Sequence, residues 1–356
     1  MAFTISAIAE DEVGAVYTMD NAAGGNHVLA WKRSKDGTLT SQGMYPTGGA
    51  GTGAGLSSQG SVLLSHNAKW LFVCNAGSDE VSLFEVSPHG LQLVDKVNSG
   101  GRLPLSLTLN RNLLYVLNAG GTIGDQDNIT GFEFVHGRLA ALPDSTRALS
   151  GDNTGPAQVA FTDDGNALIV TERNSNLIDS FTVGDEGLVT DHKTFQSVGA
   201  TPFGFDVGQG NRIFVSEAGG GAANGSSASA YEIAEDGDLA VISGAVSTEQ
   251  TAACWLLASR DGRFVYTANA GSGSISGFRV DEDGSLQLLD ADGRTGVTGD
   301  GSHPVDMIES RDGHFLYSLS NGYGTIIPFR VNSNGSLQPL TGVSGIPTSA
   351  AGLAGR

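Results

Sequence analysis

"HPVDMIESRDGHFLYSLSNG", residues 303–322, reads as two short strands around an Arg-Asp-Gly turn. Much the same phrase stands at 155–174, "GPAQVAFTDDGNALIVTERN", and at 252–271, "AACWLLASRDGRFVYTANAG". In each copy an alternating apolar run meets a turn, and a second run ends on a polar residue three positions after an aromatic or aliphatic anchor. Working outward, that ending recurs as "YTMD" at Asp20, "FVCN" at Asn75, "YVLN" at Asn118 and "IVTE" at Glu172. It recurs again as "FVSE" at Glu217, "YTAN" at Asn269 and "YSLS" at Ser320. The spacing of roughly 50 residues lies in the range of propeller blades.

After most endings comes a third alternating strand, such as "VSLFEV", "LIDSFTV" or "SISGFRV". A turn and a fourth strand follow, as in "DEDGSLQLL". Four-stranded meanders with no helical pattern between them predict an all-β fold, a seven-bladed β-propeller forming one domain over residues 1–356. The first unit lacks an innermost strand of its own. "PTSAAGLAGR" at 347–356 resembles the start of the others and is expected to complete blade one, closing the ring and removing exposed sheet edges.

Composition agrees. The 52 glycines among 356 residues suit short strands and tight turns. Nineteen Lys and Arg against 38 Asp and Glu give a formal charge of −19. Such a chain offers no basic patch to a nucleic-acid backbone or an anionic membrane. No apolar run approaches the ~18 residues of a membrane-spanning helix. Cys74 and Cys254 fall in distant repeats and read as buried free thiols. "MAFTISAIAEDEVG" (1–14) lacks the charged and apolar regions of a signal peptide, so the location reads as cytoplasmic as given, or exported where a leader has been removed.

In a meandering blade the A–B and C–D turns share one face, and the B–C and D–A connections share the other. The Asp-Gly and Asn-Gly pairs (at 36, 164, 236, 261, 283, 312 and 334) fall on the first face, where tight hairpins need positive φ. The second face carries long, unequal loops (47–60, 120–128, 144–155, 219–227 and 290–303), and function is expected there.

Two rings of equivalent positions point to that face. The strand-B endings form one. Asn75, Asn118 and Asn269 are expected to make local bonds turning the chain into the next loop. Glu172 and Glu217 are longer and stand as catalytic candidates. The second ring, at the start of strand A beside the channel, runs Ser61, Ser106, Gln158, Gly204, Trp255, Asp306, with its seventh member near Ala350. Trp255 and Asp306 depart furthest from the small polar pattern. Asp306, with His303 just upstream, is a candidate general base. Gln158, Trp255, Arg173, Arg102 and the three asparagines are candidate substrate contacts, Arg102 and Arg173 as cations for an anion or oxyanion. Ca2+ or Mg2+ would suit the ring's oxygens, but the positions spread round a circle, so no metal ligand is assigned and no cofactor is required. No G-x-S-x-G elbow supports a serine triad.

The segments "GRFVYTANAGSGSISGFRVDEDGSLQLL" (262–289) and "GHFLYSLSNGYGTIIPFRVNSNGSLQPL" (313–340) resemble the lactonase-type seven-bladed propellers, the family of bacterial 6-phosphogluconolactonase and carboxymuconate-lactonizing cyclase. The resemblance spans the whole chain and implies a lactone-ring hydrolase or cyclase. Its Pro-Arg-His, followed after a hairpin by Asn-Glu, meets Pro156-Ala157-Gln158 and Thr171-Glu172 here. The carboxylate position is kept while the Arg and His are absent, and "LPLSLTL" (103–109) stands where a Pro-His-x-His is expected. Two functions follow. In one, Asp306 or Glu172 activates water on a small oxygenated lactone, and Arg102, Arg173 or His303 holds the oxyanion. In the other, the propeller is a non-catalytic platform for a small ligand or a protein. Either way a monomer is expected.

Overall fold

The computed structural model describes residues 12–120 and 126–356. It consists of seven antiparallel sheets, each a meander. Blade four is representative: strands Pro156–Phe161, Ala167–Glu172, Leu177–Val183 and Val189–Gln196 lie side by side in chain order. Its first three strands are buried along most of their length, and its fourth alternates between exposed and half-buried at the rim. That gradient follows from the sequence, since continuous apolar runs suit a strand covered on both faces.

Blade one is composite. The C-terminal strand Ala351–Gly355 pairs with Glu12–Met19, in register Val16 to Gly355 and Thr18 to Leu353. Thr18 donates from Oγ1 to Gly352 O at 2.5 Å. The expected closure is therefore present, and the first and last described strands share one sheet.

Apolar side chains between neighbouring blades form the core, in clusters such as Tyr115, Leu117, Val159, Leu168 and Phe181 between blades three and four. The aromatic anchor of strand B has a second task in blades three, six and seven. Tyr115, Tyr266 and Tyr317 donate to the carbonyls of Gly187, Gly335 and Gly37, each at the outer hairpin of the next blade (2.8, 2.9 and 2.9 Å). The turn glycines at 37, 165, 237, 262, 284, 313 and 335 all have positive φ. The Asp or Asn before each accepts the N–H two residues on, as Asp312 does from His314 at 3.1 Å.

Candidate functional site: the two ends of the central channel

The strand-B ring holds the blades together. Asn75 accepts from Thr47 Oγ1 (2.7 Å) and Asn26 Nδ2 (3.0 Å) and donates to Ser82 Oγ (2.7 Å). It thus clamps the connection leaving blade one, and a Cβ on Gly49 would sit 2.5 Å from its Cγ. Asn118 donates to Ser99 O (3.3 Å) and Asn128 Oδ1 (3.0 Å), while Asn269 donates to Ser274 and Ser276. These bonds reach strand C and the preceding blade's outgoing connection rather than turning the local chain, which corrects the sequence expectation. Glu217 repeats the clamp in blade five, accepting Gly199 N (3.0 Å) and the hydroxyls of Ser229 (2.5 Å) and Ser227.

Glu172 uses the same geometry on Ser150, whose N–H and hydroxyl it accepts at 3.1 and 2.5 Å, and it also accepts Ser175 Oγ at 2.5 Å. One feature sets it apart. The strand-C residue behind it is Asp179, where other blades have Ser82, Thr130, Ser229 or Ser276. Both carboxyls are fully buried. Burial, reinforced by Asp179, pushes Glu172 up to about 7. With Glu172 protonated, Asp179 gains a donor that its two buried oxygens otherwise lack. His192 Nε2 lies 3.3 Å from Asp179 Oδ1 on the outer side.

The channel ring also ties neighbour to neighbour. The inner strands other than Val62–Leu64 bulge near their start, and most of these bulges leave a backbone N–H facing the preceding blade. Ser106 Oγ accepts Val159 N (3.1 Å), Gln158 Oε1 accepts Phe205 N (2.8 Å), and Asp306 Oδ2 accepts Leu353 N (3.0 Å). Gly204 has no side chain to do this. Gln59, from the long 47–60 loop, fills its place, accepting Leu256 N (3.0 Å) and donating to Leu256 O (2.7 Å). The ring's seventh member is Gly352, with φ +72, and Asp306 is likewise left-handed, at φ +94. Desolvation pushes the Asp306 carboxyl up to about 8, against the N–H bonds it accepts.

Gln59 belongs to a plug. Ser58 donates to Leu105 O (2.8 Å), Gln59 N donates to Ala157 O (3.1 Å), and Trp255 Nε1 donates to Ser58 O (2.9 Å). One segment thereby touches blades three, four and six across the start of the channel. Trp255 packs on Phe203, over which the Arg173 guanidinium lies (5.2 Å to the ring centroid). Arg173 Nε donates to Gly155 O at 2.9 Å, on the side of the strand away from Glu172, so the two neighbours do not share a site. Arg102 and His303 are exposed on their connections, and no hydrogen bond joins His303 to Asp306. Among the described residues no group of three or more His, Cys, Asp or Glu is placed to hold a metal ion.

At the opposite end of the channel, on the face of the A–B turns, lies a cavity of about 320 Å³ lined by Asp206, Leu257, Ala258, Arg260, Ile308 and Glu309, among others. Asp206 is half-buried. Its Oδ2 accepts Ala258 N and its Oδ1 accepts Val207 N, both at 2.9 Å. Desolvation raises it to about 6 against those bonds and the nearby Arg260 charge. Glu309 is 6% exposed; its Oε2 accepts Arg260 N at 2.7 Å, and burial raises it too. The sequence reading missed this pair. The register puts Leu63, Thr108, Ala160, Asp206, Leu257 and Ile308 at equivalent positions, two residues beyond the ring compared above. There Asp206 is the sole carboxylate, a signal available without structure.

The fold and these sites define an all-β propeller with carboxyl groups at both ends of its channel. The family described as "Lactonase, 7-bladed beta-propeller" matches residues 17–140 and 208–351, more than half of the chain, and the chain belongs to that family. The internal unmatched stretch, 141–207, contains all of blade four, including the segment from Pro156 to Glu172, and Asp206. Solved structures share the architecture at low identity. A proposed 6-phosphogluconolactonase of Bacteroides fragilis superposes with a TM-score of 0.75 at 19% identity, over 98% of this chain and 99% of that one. The periplasmic gluconolactonase of Pseudomonas aeruginosa gives 0.74 at 15%, over 96% and 99%. A Lactobacillus plantarum protein gives 0.77 at 16%, over 97% and 99%. No curated protein matches the chain. Among the described residues no helix is long and apolar enough to cross a membrane.

Proposed function

We propose that this protein hydrolyses a lactone ring at the A–B end of its channel. The observation that carries the reading is Asp206, a half-buried carboxyl raised to about 6 that faces a cavity alongside Glu309 and Arg260. Perturbed carboxyls in a concave site are the usual material of acid–base catalysis. Ionised Asp206 takes a proton from water as that water attacks the lactone carbonyl. The Arg260 guanidinium stabilises the tetrahedral oxyanion. Collapse breaks the ring C–O bond, and the proton returns to the leaving alkoxide, giving a hydroxy acid. Family membership supports the reaction class, and the similar structures support only the fold.

This puts the chemistry away from Asp306, Glu172 and Glu217, which are fully buried; Asp206 also accepts two backbone N–H groups but remains half-exposed to its cavity. The platform reading has one observation in its favour: Ala157 and Gln158 occupy the family's Arg-His positions, and Gln158 is spent on Phe205. The test is proton release in a pH-stat over sugar, aliphatic and aromatic lactones, with and without EDTA. Asp206→Asn is expected to lose about 10²–10⁴-fold in turnover. Undiminished turnover in that variant, or no turnover of any lactone by the wild-type protein, would contradict the proposal.

A further inference from the structure

The hydrolytic reading uses one carboxylate, and the cavity holds two. Glu309 stands where the other inner strands carry Leu64, Leu109, Phe161, Val207, Ala258 and Gly355, so blade assembly does not call for an acid there. Its Oε2 is occupied by Arg260 N, while no protein donor among the described residues reaches Oε1. Solvent reaches Oε1, which is not among the fully buried orphaned atoms, so it is free to accept a hydrogen bond from a bound ligand. Glu309 lines both the channel cavity and an adjoining groove of about 610 Å³ between blades six and seven.

The walls narrow the ligand. Leu257, Ala258 and Ile308 are aliphatic, and no aromatic ring lines the channel cavity, so there is no platform for stacking. A volume of about 320 Å³ is near the lower limit of ligand pockets and suits a five- or six-membered ring with a short substituent. Two ionised carboxyls against the single guanidinium of Arg260 leave the space net negative, which disfavours an anionic substituent and favours a cation.

Resting on the reading above, we propose that the substrate is a small aliphatic lactone bearing an ammonium group, its N–H donors bound by Glu309 while the ring carbonyl faces Asp206. Hydrolysis of an aminomethyl-substituted γ-butyrolactone, of γ-butyrolactone itself and of a carboxymethyl-substituted γ-butyrolactone tests this. A charge-assisted hydrogen bond predicts kcat/KM about tenfold or more higher for the amino ring than for the parent. The carboxylate ring is expected to fall below the parent. Glu309→Gln should bring the amino-to-parent ratio close to one. In the wild-type protein, which needs no refolding control, n-butylammonium should compete with γ-butyrolactone.

A wild-type ratio near one, with turnover still dependent on Asp206, overturns the substrate class and leaves the hydrolase reading standing. So does an absence of competition by the amine. No turnover of any of the three rings, or turnover indifferent to Asp206→Asn, overturns the hydrolase reading and this proposal with it.

Discussion

Buried carboxyls in this propeller are chiefly acceptors for backbone N–H and hydroxyl groups, and their titration links the fold to pH. Glu172 lies at about 7 in the folded protein against an ordinary 4.5. A raised carboxyl binds its proton more tightly in the native state, so its contribution is complete below about pH 4.5 and lost as pH rises through about 7. Asp306, raised to about 8, has the same sign over a window reaching higher. Denaturant melts at pH 5 and pH 8 are expected to differ by on the order of 3 kcal/mol through Glu172 alone, the fold being weaker at pH 8. Glu172→Gln keeps an acceptor for Ser150 and should flatten that dependence. An unchanged pH slope in the variant would show that the pair with Asp179 is not the titrating unit. Asp206 leads to a kinetic prediction: kcat/KM should rise with pH through about 6 as its carboxyl ionises.

Single strands and hairpins were the most legible level. The strand-B endings could be read because each must end one turn before the chain leaves the ring, and the Asp-Gly turns because few residues accept positive φ. The tyrosine anchors carry more than the pattern showed, since their hydroxyls reach the next blade's hairpin. Tyr266→Phe and Tyr317→Phe should each cost about 1 kcal/mol in denaturant melts, leaving Gly335 O and Gly37 O without their donor. The equivalent positions with Phe72, Ile169 and Phe214 lack the hydroxyl and set the baseline. The plug was not legible. Gln59 and Leu256 are 197 residues apart, and nothing local in "GLSSQG" says that a glutamine will stand in for a missing side chain at Gly204. At the upper end of strand A the unusual residues Gln158, Trp255 and Asp306 are ties to neighbouring segments. The carboxylate that faces a cavity, Asp206, stands two residues further along the strand.

At the scale of the molecule, the ring depends on one five-residue strand to join its ends. Deleting 351–356 removes the partner of Glu12–Met19 and the acceptor of Thr18, and it leaves Asp306 Oδ2 without Leu353 N. Two open sheet edges result, and the truncated protein is expected to aggregate or to lose its single cooperative melt. A sharp, unshifted transition would mean that closure adds little. The plug crosses the channel at one end while the cavity opens at the other, which is why chemistry is assigned to the A–B face although the longer loops lie opposite. The most direct test sets the two ends against each other: turnover of one lactone by Asp206→Asn beside Glu172→Gln, both checked for folding. Turnover lost in Asp206→Asn and kept in Glu172→Gln is the predicted result. The reverse pattern would return the site to blade four and contradict the account.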